Sequence, residues 1–226
     1  MVGKRPGARN CAGGSGEGMG RRIPRIVSLS GGEEPYREAL ETAGTALRAG
    51  GIALLPAEGL YGLHADAFRT EALERLNRLK AAPPGRPYVL LAGSIEQAEK
   101  FVREWPGRAA EIADAYWPGR VTLVLPAAQV VPGALAPDGR VALRCPGARM
   151  LRDLALLIDG ALVSTSANTA GAPPPRALPE VEEAILAGCD VAVDAGPLSG
   201  EASAIVRPET DGRVTVLRGR LPRAGC

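Results

Sequence analysis

The stretch Gly160-Ala161-Leu162-Val163-Ser164-Thr165-Ser166-Ala167-Asn168-Thr169-Ala170-Gly171-Ala172-Pro173-Pro174-Pro175 constrains this chain more than any other. Its apolar start predicts a buried strand, its centre changes abruptly to small hydroxyl and amide residues, and its Gly and Pro forbid regular structure. A strand that gives way to a small polar turn is where α/β proteins hold ligands. Ser164, Thr165 and Ser166 are compact donors and acceptors, Asn168 offers both functions on one planar group, and Ala167 and Gly171 let a ligand approach the backbone. Such a loop suits phosphate or carboxylate oxygens. The same residues also favour an ordinary capped turn for local reasons.

At 226 residues, with 46% apolar content, the chain is long enough for one compact domain with a sizeable core. A net charge of +2 leaves any nucleic-acid contact to a local patch and argues against a dedicated RNA-binding module. Cys11, Cys145, Cys189 and Cys226 are far apart and lack metal-ligand spacing, and the only histidine is His64, so no zinc or other metal site is expected. No apolar run is long enough to span a bilayer, and Arg and Gly stand where a signal peptide needs its hydrophobic segment. A cytoplasmic protein with reduced thiols and no membrane contact is expected.

Residues 1–25 are rich in Gly and Arg, with almost no apolar side chains to offset their ordering entropy. They are expected to be a disordered leader, alternatively a basic arm on RNA, with 26–226 as the folded domain. Short apolar runs then alternate with amphipathic stretches. Strands are expected at Ile26–Leu29, Ile52–Leu55, Tyr88–Ala92, Val121–Leu125, Arg140–Arg144, Cys189–Val193 and Ser203–Val206. Gly212–Gly219 alternates as an exposed edge strand. Helices are expected at Glu34–Ala49, Glu71–Lys80, Ala109–Tyr116, Met150–Ile158 and Pro179–Ala187, and one begins at a capping box in which Ser94 is the cap and Gln97 reaches back to it.

Two further segments raise the odds of a ligand site. Val141-Ala142-Leu143-Arg144-Cys145-Pro146 puts a cation at the end of an apolar run, and Tyr116-Trp117-Pro118-Gly119-Arg120 is an aromatic-Pro-Gly turn feeding a strand. Together with Leu162–Pro175 and Pro56-Ala57-Glu58-Gly59-Leu60-Tyr61-Gly62-Leu63, they resemble the threonylcarbamoyl-AMP synthase, or YrdC-like, family over about Gly50 to Arg218. The resemblance implies a single α/β domain: a twisted sheet of mixed parallel and antiparallel strands, flanked by helices, with a large concave ligand cleft. It also implies synthesis of threonylcarbamoyl-AMP and pyrophosphate from L-threonine, bicarbonate and ATP, with Mg2+ accompanying ATP. The product goes to proteins that modify an adenosine of tRNA. Neither chemical step needs a protein nucleophile, and no residue is assigned as catalytic.

Carried over position by position, the resemblance puts Lys80, Arg86, Arg140, Ser166, Asn168 and Arg218 on ATP, and Gly59, Tyr61, Arg144 and Ser164 on the amino acid. This chain departs from the family pattern in three places. Ala57 and Gly59 replace the two threonines of the Thr-Asp-Thr-Val motif, Ala82 replaces the arginine paired with Lys80, and Leu91 stands where some relatives have histidine. Lys80 also suits a helix C-terminus facing the macrodipole, and Arg144 a surface strand end. His64 is expected to be a turn residue. Three functions therefore compete: this synthase, an enzyme forming a carbamoyl adenylate from another amine or from carbamoyl phosphate, and a non-catalytic binder of nucleotide or structured RNA.

Overall fold

Alternating apolar and amphipathic runs build one sheet layered between helices. The computed structural model describes residues 23–81 and 88–221. The strands are β1 (Arg25–Ser28), β2 (Ala53–Pro56), β3 (Tyr61–Asp66), β4 (Val89–Leu91), β5 (Val121–Pro126), β6 (Arg140–Arg144), β7 (Leu162–Ser166), β8 (Val191–Asp194), β9 (Ala204–Pro208) and β10 (Val214–Arg218). The helices are α1 (Glu33–Arg48), α2 (Thr70–Leu79), α3 (Ile95–Glu99), α4 (Ala109–Tyr116), α5 (Arg149–Leu157) and α6 (Glu183–Ala187). Arg25, counted with the leader on composition, is instead the first residue of β1. The rest of that leader, residues 1–22, lies outside the described residues.

The sheet order is β1-β8-β2-β3-β7-β4-β6-β5-β9-β10. β1 and β2 run parallel to β8, β4 to β6 and β5 to β9, while the other neighbours are antiparallel. The sheet is thus mixed, as expected, and β10 is an edge strand with two of its apolar residues, Val216 and Leu217, exposed.

Alternation of side chains across the pleat produces two cores. Leu54, Leu63, Leu90 and Val163 point to one face, with Leu73 and Leu76 of α2 and Ile112 of α4. Ala53, Leu55, Leu91 and Leu162 point to the other, under Ala43 and Leu47 of α1 and Leu151 and Leu154 of α5. Each of these sheet leucines is buried; burying one contributes about 1.5–3 kcal/mol.

Three local expectations are corrected. The expected helix Pro179–Ala187 is broken: a single 3-10 turn spans Leu178–Glu180, Val181 is extended, and α6 starts at Glu183. The break is fixed from outside, because the Glu182 carboxylate accepts hydrogen bonds from the Thr169 amide and hydroxyl at 3.0 and 2.8 Å. Ser94 does cap α3, accepting from the Gln97 amide at 3.1 Å, but the Gln97 side chain accepts from Gly93 at 2.6 Å and donates to Ala155 across to α5. His64 is no turn residue. It lies within β3, fully buried, and pairs with Ser164 of β7 in register.

Candidate functional site

The hydroxyl-rich end of β7 and the guanidinium of Arg144 meet at one end of the sheet. There β2 stops and β3 begins, β6, β7 and β10 end, and β5 and β9 start; these segments enclose a pocket of about 320 Å3. Its walls include Glu58, Gly59, Tyr61, Arg120, Arg144, Ser164, Thr165, Ser166, Glu201, Ser203 and Arg218. The hydroxyls of Ser164, Thr165 and Ser166 do not sit in a turn after the strand, as expected from composition. They are the last three residues of β7, held by pairing to Gly62, Leu63 and His64 of β3.

Six of the proposed binding residues therefore line one pocket: Gly59, Tyr61, Arg144, Ser164, Ser166 and Arg218. Arg144 ends β6 and is 6% exposed, which excludes the reading as a surface arginine. Burial disfavours its charge, and Glu58 beside it favours the charge. Arg218 donates to the Ser203 carbonyl at 3.0 Å and to the Ser203 hydroxyl at 3.1 Å, so the end of β10 is tied to the residue before its neighbour β9 at the pocket wall. Tyr61 contributes its ring to the wall. Its hydroxyl is occupied behind it, donating to Gly196 at 2.9 Å and accepting from the Ala195 amide at 2.9 Å, and burial raises its pKa.

Three others do not line it. Lys80 is 1% exposed, and its ammonium donates to the carbonyls of Ser166 and Asn168 at 2.5 and 2.6 Å. The ammonium therefore holds the backbone that follows β7, because the side chain ends under that loop. Asn168 is turned inward, donating to Thr169 and Ala172 at 3.0 and 2.5 Å, so its amide shapes the turn. Arg140 is at the wrong end. It starts β6, four residues or about 13 Å from Arg144, is exposed, and borders a second cavity with Glu104, Asp138 and Glu209. Arg86 lies outside the described residues.

Sequence reasoning missed Glu58, Arg120 and Glu201. Glu58 lies 3.4 Å from Arg144, and Arg120 forms an ion pair with Glu201 at the pocket rim. An acid beside a glycine directly after a buried strand was the available signal for Glu58. Gly59 gains a physical explanation: a side-chain carbon there would collide with the Glu201 carbonyl, and the Gly200 amide donates to the Gly59 carbonyl at 2.7 Å. His64 supports the floor. Its Nε2 lies 3.2 Å from the Ser164 hydroxyl, and burial, with Arg144 adding in the same direction, pushes its pKa down to about 3. It is therefore neutral at pH 7.

Chemically, the pocket offers guanidinium and hydroxyl groups that hold oxyanions, and the one hydroxyl beside an imidazole, Ser164, faces a His64 whose lowered pKa makes it a weak base. Among the described residues no three His, Cys, Asp or Glu side chains gather to hold a metal ion. Cys145 and Cys189 are buried free thiols, and burial raises both pKa values. No described helix is long and apolar enough to cross a membrane.

Comparison with known proteins identifies the family and the fold. The Sua5/YciO/YrdC family model, described as "Telomere recombination", matches residues 45–219. The threonylcarbamoyl-AMP synthase of Stenotrophomonas maltophilia is 33% identical over 172 residues, covering 75% of this chain and 90% of that protein. That of Pyrococcus abyssi is 32% identical over 178 residues, and the chain spans about half, 52%, of its length. The crystal structure of P. abyssi Sua5 complexed with L-threonine superposes with a TM-score of 0.76 at 30% identity, covering 87% of this chain and 57% of that one. The E. coli YciO structure shares the fold with a TM-score of 0.74 over 87% of this chain and 95% of that one, at 19% identity. The matched residues include every strand that encloses the pocket, and the chain belongs to the Sua5/YciO/YrdC family.

Proposed function

We propose that this chain makes L-threonylcarbamoyl-AMP from L-threonine, bicarbonate and ATP, releasing pyrophosphate and water, as the first step of threonylcarbamoyladenosine formation in tRNA. The observation that carries this reading is the convergence of Arg144, Ser164, Ser166 and Arg218, from three separate strands, on one pocket. The ammonium of threonine gives up a proton to solvent, and the free amine attacks the carbon of bicarbonate to give a carbamate and water. A carbamate oxygen then attacks the α-phosphorus, and pyrophosphate leaves.

Arg144 receives the amino-acid carboxylate, as a planar guanidinium suits a carboxylate. Arg218, Ser166 and Ser164 face the phosphate and carbamate oxygens, and Lys80 and Asn168 fix the loop that sets the end of β7. Catalysis is then positioning and charge stabilisation rather than covalent chemistry. Mg2+ bound to ATP would supply charge neutralisation on its phosphates beside Arg218 and Ser166. The product passes to tRNA-modifying proteins in the cytoplasm, with at most a weak RNA contact of its own.

Pure protein given ATP, L-threonine, bicarbonate and Mg2+ should release pyrophosphate only when all four are present. Release that ignores threonine contradicts the substrate assignment. A second reading, adenylation of a carbamate from another amine, is favoured by Gly59, where backbone of Glu201 occupies the space a hydroxyl-bearing side chain would need. Replacing threonine by other amino acids in the same assay separates the two.

A further inference from the structure

Glu58 and Arg144 form an ion pair that is nearly desolvated: their side chains are 14% and 7% exposed. One Glu58 oxygen accepts from the Gly147 amide at 2.6 Å, which fixes the carboxylate against the loop after β6. The other lies 3.4 Å from Nη2 of Arg144, longer than the roughly 2.7–2.9 Å of a charge-assisted hydrogen bond. Nε of Arg144 is buried with no hydrogen-bond partner. Both side chains line the same pocket. The two charges neutralise one another at a distance, and hydrogen-bonding capacity is left on each.

That arrangement sets a condition on any ligand at this wall. A monoanion on Arg144 brings a second negative charge against Glu58 in a site with little water to screen it. A lone cation on Glu58 does the opposite to Arg144. Only a ligand bearing both charges close together gives each residue a better partner than it loses. An α-amino acid carries ammonium and carboxylate on one carbon.

Resting on the function proposed above, we infer that Glu58 is the specificity-determining partner of Arg144: it accepts from the substrate ammonium while Arg144 holds the carboxylate, so the pocket selects an amino-acid zwitterion over a simple carboxylate. The Glu58 oxygen facing Arg144 is the acceptor, and the Gly147 contact keeps it in place when Arg144 turns to the ligand.

Calorimetric titration tests this with three probes: L-threonine, the hydroxy acid with a hydroxyl in place of the amine, and threoninol, which lacks the carboxylate. Wild-type protein should bind threonine on the order of 100-fold more tightly than either analogue, the scale of leaving one buried charge unpaired. Glu58→Gln keeps the acceptor for Gly147 and removes the charge. It should bind threonine more weakly than wild type, and bind the hydroxy acid at least about tenfold more tightly than wild type does. A damaged fold cannot produce that gain. No gain for the hydroxy acid, or equal wild-type affinity for threonine and hydroxy acid, overturns the inference. Wild-type protein that binds no threonine overturns the functional reading beneath it.

Discussion

β6 carries an arginine at each end, and the two have opposite environments. Arg140 and Arg144 are four residues apart on one strand, so their side chains leave the same face about 13 Å from each other. Arg144 is buried beside Glu58, where residues of six strands line one pocket. Arg140 is exposed at the far end, beside the exposed Glu104 and Asp138 and the half-buried Glu209, where water screens its charge. The contrast shows that a cation at a strand end acquires a role from which end it occupies. That in turn is fixed by distant segments: the β2–β3 connection at one end, the Glu209 turn at the other.

Replacing each arginine by alanine should therefore give unequal results. For Arg144→Ala, kcat/KM should fall about 10²–10³-fold, with threonine KM rising. Glu58 is left buried and unpaired, so the same change should lower unfolding free energy by about 3 kcal/mol in denaturant titration. Simple loss of a surface clamp would spare stability, which makes the second measurement the sharper one. Behind that end, Lys80→Met removes two hydrogen bonds from a buried ammonium to the carbonyls of Ser166 and Asn168. A stability loss of about 2–3 kcal/mol is expected, with a severalfold rise in ATP KM from the displaced end of β7. Unchanged ATP KM would separate Lys80 from the site.

The pocket end also has a pH signature. The unfolded chain takes a proton on His64 near pH 6.5, and the folded chain resists until about 3. Between those values the unfolded state binds more protons, so stability falls as pH falls, by about 1.4 kcal/mol per unit. His64→Gln should lose that contribution to the slope, seen as a flatter dependence of the urea midpoint on pH from 6.5 downwards. An identical slope would contradict a buried neutral imidazole. The smallest effect belongs to Arg140→Ala, which should leave kcat/KM within about twofold and stability within about 0.5 kcal/mol.

Much of the fold was legible because local patterning suffices for it. The apolar stripe of α1, the bounds of α4 and the alternation of β10 all follow from periodicity within one segment. The family resemblance, rather than patterning, picked out six residues that line the pocket: Gly59, Tyr61, Arg144, Ser164, Ser166 and Arg218. What failed was everything decided by a distant partner. Ser164 to Ser166 stay in a strand because β3 pairs with them, and His64 is buried by the same pairing. Glu182 breaks a helix to reach Thr169, and Lys80 turns under a loop 86 residues away. Glu58 went unread because its meaning lies in Arg144, which only the sheet order brings alongside it.

On the function proposed above, ligands engage the Arg144 end of the sheet and not the Arg140 end. Hydrogen exchange with and without L-threonine plus a non-hydrolysable ATP analogue tests it most directly. Slowed exchange is expected at the loop amides of Glu58–Leu60 and Glu201–Ser203 and at Gly147, which donates to Glu58, with no change at Arg103–Glu104, Asp138–Gly139 or Glu209–Thr210. Protection at the second group, or at neither, would contradict it.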